Sequence, residues 1–144
     1  MDNVKDYIPH REPFLFVDEI VEITETSIKT KKFISEEEYF FKGHYPNYPL
    51  MPGVLICEAI LQSGAVLISH LVKGDIKDDV PVVTRMNNVK FKKMVLPQST
   101  IEMQVELVEK IQSAYFLKGT AKVDNKIAVY LDFACGLVRK GELL

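Results

Sequence analysis

The chain has no tryptophan, only two cysteines among 144 residues, and no excess of either charge. Each scarcity excludes something. Cys57 and Cys135 lie in apolar surroundings without a CxxC neighbour, so neither a zinc cage nor a disulfide framework organises the fold. A formal net charge of −2 provides no cationic field for nucleic acid. No internal repeat, low-complexity tract or interdomain linker interrupts the sequence, and a single domain over residues 1–144 is expected. The opening Met1-Asp2-Asn3-Val4-Lys5-Asp6 lacks the basic-then-apolar pattern of an export signal, which reads as a cytoplasmic protein.

One long hydrophobic run is present. Val54 to Val72 is almost wholly apolar and about long enough to cross a bilayer. It also contains Glu58, Gln62, Ser63, Ser69 and His70, and a charge at bilayer depth is costly. A helix apolar on every side is normally enclosed on every side, so the run is read as a central core helix, not a membrane span. Pro52 suits its first turn, and Gly74 is the candidate C-terminal cap.

The remainder reads as strands. Residues 3–8 suggest a short helical turn ending at Pro9, and Phe14–Ile23 a strand that pairs with Ile28–Ile34 across the polar turn Thr24-Glu25-Thr26-Ser27. Ser35 and Glu38 have the spacing of a capping box, predicting a helical turn into Phe40. Beyond the helix, Val80–Phe91 is a strand interrupted near Asn87-Asn88. Thr100–Val108 alternates with Ile101, Met103, Val105 and Leu107 on one face. Ala114–Val123 and Lys126–Arg139 flank Asp124-Asn125, a pair that tolerates positive φ in a two-residue turn. The fold class is α+β: six antiparallel strands wrapped around one long helix.

The segment ahead of the helix carries the chemistry. Three prolines and two glycines between 43 and 53 rule out a helix or a central strand, leaving a shaped loop that contains His44. Fourteen positions on, Glu58 is the one carboxylate in the apolar helix. Burial raises a carboxyl pKa, so Glu58 is a candidate proton donor, and His44, whose ordinary pKa is near neutrality, a candidate base. Gln62 lies one turn beyond Glu58 on the same face and can orient it. Gly53, at the helix start, can present an unpaired amide to a carbonyl. Each has a plainer alternative: a structural hydrogen bond for His44, and a satisfied core amide for Gln62. His10 reads as a structural loop residue, and Tyr45 and Tyr48 as packing residues, one a candidate to line a tunnel.

Taken in order, these motifs resemble a known family. Ile8-Pro9-His10-Arg11-Glu12-Pro13-Phe14-Leu15-Phe16-Val17-Asp18, Phe40-Phe41-Lys42-Gly43-His44-Tyr45-Pro46, Pro49-Leu50-Met51-Pro52-Gly53-Val54-Leu55 and Glu58-Ala59-Ile60-Leu61-Gln62 are similar to the signature segments of FabZ-type 3-hydroxyacyl-[acyl-carrier-protein] dehydratases. The resemblance implies a single hot-dog domain that converts a 3-hydroxyacyl group to a trans-2-enoyl group, in fatty-acid synthesis or a specialised acyl pathway. It implies His44 and Glu58 as a catalytic pair shared across a homodimer, assembled in some members as a trimer of dimers. It further implies no metal or redox cofactor, and an acyl carrier protein presenting the phosphopantetheine-linked chain. Met94 stands where the family usually has proline, and Gln98-Ser99 where it has Gly-Asp; these departures bear on the tunnel and leave the pair untouched. Arg85, Lys90, Lys92 and Lys93 form the one local cationic cluster in the sequence, either a solvated strand edge or a docking patch for the acidic carrier. The other functional readings are a hot-dog acyl thioesterase and a non-catalytic acyl-binding module.

Overall fold

The computed structural model describes residues 2–73 and 79–139. β1 (Glu19–Ile23) and β2 (Ser27–Ile34) form a hairpin, followed by α1 (Gly53–Val72). β3 (Asp79–Phe91), β4 (Ser99–Ile111), β5 (Ala114–Val123) and β6 (Lys126–Arg139) complete the chain. All six strands join one antiparallel sheet in the order β1-β2-β4-β5-β6-β3. Two connections skip neighbours, β2 to β3 and β3 to β4, and α1 lies in the first of them. The chain leaves the sheet beside β2, runs through the helix, and re-enters at the far edge as β3.

The sheet encloses the helix as the apolar run requires. Every residue from Gln62 to Ser69 is buried, and 72% of the most apolar 18-residue window of α1 is buried, the signature of a core helix. Ile20, Ile28, Ile101, Met103, Val105, Leu117, Leu131 and Phe133 cover it from the strands. The helix approaches closely because β5 carries Gly119 where a Cβ would collide with Ile60 Cγ2. Apolar burial of this kind is the main favourable contribution to folding, at roughly 25 cal/mol per Å².

Several boundaries differ from the sequence reading, each for a local reason. The first strand begins at Glu19, not Phe14, because the Gln62 side chain takes the Phe16 amide and the Phe14 carbonyl that a sheet partner would have used. Pro52 is the N-cap itself, one position before the first turn, and its carbonyl accepts from both Leu55 and Ile56. At the other end Lys73 adopts the left-handed cap conformation, with φ 50°; the expected cap Gly74 lies outside the described residues. β4 runs on to Ile111 past a bulge between Leu107 and Glu109, where the predicted alternation loses its phase. Other expectations stand. β3 is irregular between Asn87 and Lys90 with Asn88 at φ 53°, and Asp124 and Asn125 both take positive φ. The expected capping box is a turn instead: Ser35 Oγ accepts from Glu37 N–H and the Glu38 carboxylate from Ser35 N–H, while the short 3₁₀ helix that follows, Tyr39–Lys42, starts from Glu38 with no side-chain cap bond.

Candidate active site

α1 places Glu58 on its second turn, half-buried, with 21% of the side chain exposed. Burial pushes its carboxyl above the usual carboxylate range, partly offset by a hydrogen bond from Gln62. That bond is one of three made by a single buried amide. Gln62 Nε2 donates to Glu58 Oε2 at 3.0 Å and to the Phe14 carbonyl at 2.8 Å, and Oε1 accepts from Phe16 N–H at 2.8 Å. Gln62 is therefore both the satisfied core amide and the carboxyl's partner, the two alternatives that spacing alone left open.

His44 sits in the proline-rich loop, its amide bonded to the Phe40 carbonyl and Nδ1 2.8 Å from the Leu50 carbonyl oxygen. A carbonyl only accepts, so Nδ1 carries the hydrogen and Nε2 keeps its lone pair. The loop is tied to the body through Met51, whose amide donates to the Val95 carbonyl and whose side chain is buried. Tyr45 takes φ 58° and packs edge-on to the His44 ring with centroids 4.5 Å apart while staying mostly exposed; Tyr48 is exposed.

A cavity of about 570 Å³ opens at the start of α1, bordered by Leu50, Gly53, Ile56, Phe91, Lys92 and Met94 among others. Among the described residues no backbone carbonyl takes the Gly53 amide. Gly53 has no side chain for a concrete reason: a Cβ there would lie 2.6 Å from the Phe91 ring. Within one chain neither His44 nor Glu58 borders this cavity, and no hydrogen bond or ion pair joins the two. The cationic cluster also divides. Lys92 and Lys93 border the cavity, Lys90 lies opposite Tyr130, and Arg85 lies opposite Ala134, four β6 residues or about 13 Å further along.

One residue escaped the sequence reading as a site group. His10 Nε2 stands 3.7 Å from Glu58 Oε2. The two are 48 positions apart and no periodicity connects them.

Residues 8–131 match the model of the FabA-like domain family. The chain is 44% identical over 128 residues to the 3-hydroxyacyl-[acyl-carrier-protein] dehydratase FabZ of Clostridium perfringens, covering 89% of this chain and 91% of that one. The chain belongs to the FabA-like family and is a dehydratase. The same dehydratase of Petrotoga mobilis is 36% identical over 137 residues, with 95% of this chain and 96% of that one covered. The dehydratase heterocomplex ApeI:P from Xenorhabdus doucetiae superimposes with a TM-score of 0.82 over 99% of this chain and 95% of that one, at 15% identity, a likeness of fold. This dehydratase carries Glu58 on the enclosed helix and His44 on the loop before it.

Proposed function

We propose that this dehydratase acts on 3-hydroxyacyl chains borne by acyl carrier protein, with His44 as base and Glu58 as acid. His44 Nε2 takes a proton from the carbon next to the thioester carbonyl, Glu58 gives its proton to the 3-hydroxyl, the C–O bond breaks, and trans-2-enoyl thioester and water leave. The Gly53 amide, at the positive end of α1, donates to the carbonyl oxygen as charge develops there. The observation that carries the reading is the bond from His44 Nδ1 to the Leu50 carbonyl, which commits the ring to the tautomer a base needs.

The site is completed by a second copy, so that Glu58 faces His44 of the partner subunit. Support comes from β3, the sheet edge, where Val83, Met86 and Phe91 are exposed, and from exposed Val54, Met94 and Leu96 nearby. Of these, Phe91 and Met94 border the cavity. Lys92 and Lys93, which border it, supply the positive charge for docking an acidic carrier, while Arg85 and Lys90 lie further along the edge.

A mixing experiment tests both statements. Each of His44→Ala and Glu58→Ala abolishes the gain of enoyl absorbance on a 3-hydroxyacyl carrier-protein substrate. Unfolding and reassembling the two together restores about a quarter of the wild-type sites, because half the dimers are mixed and each holds one intact pair. No recovery in confirmed mixed dimers rejects the shared site, and release of free thiol in place of enoyl product rejects dehydration.

A further inference from the structure

The loop that carries His10 is built to hold it in place. Ile8 and Phe16 are both buried in the core, and between them the Arg11 guanidinium bonds the carbonyls of Ile8, His10 and Lys5 at 2.8, 2.6 and 3.1 Å. The far end is fastened to α1 by the two Gln62 bonds to Phe14 and Phe16. A loop restrained at both ends sets one imidazole beside one carboxyl.

His10 Nδ1 is buried and has no hydrogen-bond partner among the described residues. A buried N–H without an acceptor is costlier and rarer than an acceptor without a donor, so the ring hydrogen belongs on Nε2, the nitrogen facing Glu58. Burial, and secondarily the Arg11 charge, push the imidazole below its ordinary value, so the ring stays neutral. At 3.7 Å from Oε2 this nitrogen makes an approach, not a full hydrogen bond, to the same oxygen that accepts from Gln62. Apo sites often show such distances before substrate closes them.

We propose that His10 is a positioning residue for the acid: with Gln62 it reserves Oε2 of Glu58 as an acceptor and leaves Oε1 to carry and donate the proton. This rests on the reading of Glu58 as the acid. Among the described residues the ionisable group within 4 Å of the carboxyl is His10; Arg11 follows it on the loop, the buried thiol of Cys57 precedes Glu58 on α1, and Lys5 and Glu12 are paired to each other at 2.9 Å. In the proposed dimer His44 of the partner subunit joins them. The Arg11 charge is occupied by backbone carbonyls, leaving the polar contacts of Oε2 to two uncharged donors.

His10→Phe keeps the ring shape and removes the donor, whereas His10→Gln places an amide N–H where Nε2 was. His10→Phe lowers kcat about tenfold, the cost of one donor in a partly enclosed site, with KM within about twofold. Its alkaline limb moves to higher pH, since an N–H that also favours the carboxylate is gone. His10→Gln recovers kcat. Equal losses in both variants, or none in His10→Phe, overturn the proposal. Carbon-13 titration of the Glu58 carboxyl reads the same effect without turnover. An active Glu58→Gln enzyme rejects the acid assignment, whereas an unmoved Glu58 titration in His10→Phe rejects the role of His10.

Discussion

Glu58 and His44, the two groups proposed to move protons, are held by opposite means. Glu58 is on a 20-residue helix inside the sheet, with side-chain neighbours from its own element and from the N-terminal loop, and burial raises its carboxyl. His44 is on irregular chain and owes its orientation to one backbone carbonyl and an exposed tyrosine ring. The acid is tuned by its surroundings; the base is oriented by its loop. Each device suits its task, because a carboxyl needs a low-dielectric setting to keep its proton near neutral pH, while an imidazole needs only the correct tautomer and aim.

The largest effect comes from removing either group. Glu58→Gln and His44→Asn each lower kcat by roughly two to four orders of magnitude while circular dichroism stays native, and a tenfold loss in either would mean that the two arms are not equal partners. Next is the amide that supports only the acid arm. Gln62→Leu leaves the buried Phe16 amide and the partly buried Phe14 carbonyl unpaired, destabilising the chain by about 3 kcal/mol in urea titrations. His44 should keep its tautomer, read by nitrogen-15 shifts of the ring; a changed tautomer would couple the two arms. Smaller is a change remote from both. Gln98 holds φ 68°, and its amide bonds the Ile34 carbonyl at 2.6 Å, so Gln98→Gly relieves left-handed strain and stabilises by about 0.5 kcal/mol after the entropy cost of glycine. A destabilised Gln98→Gly protein would contradict this.

The last prediction concerns stability against pH. With its carboxyl raised, the folded chain holds the Glu58 proton to higher pH than the unfolded chain does. That contribution is present at low pH and is lost as pH rises through the raised value. Glu58→Gln does not titrate, so its stability relative to wild type climbs with pH across that interval. Parallel curves would show that burial does not tune the acid.

Much of this was legible in residue order. The hairpin at Asp124-Asn125, the interruption at Asn87-Asn88 and the apolar run of α1 follow from local rules of φ, alternation and burial, and the structure keeps them. The candidates His44, Glu58, Gly53 and Gln62 were visible because glycine, proline and isolated polar residues stand out against an apolar run. The strand over Phe14–Asp18 was misread for the same reason that His10 was overlooked. Both depend on Gln62 and Glu58, more than forty positions away, and no pattern in a window of a dozen residues records such a contact. Residue order determined which segments are strand, helix and loop, since those choices are settled by backbone sterics and by how apolar side chains repeat. Tertiary structure alone decided which loop lies against the acid, because His10 and Glu58 meet only once the sheet has closed around the helix; which nitrogen of His44 stays bare was decided by the folded shape of its own loop, which brings the Leu50 carbonyl to Nδ1.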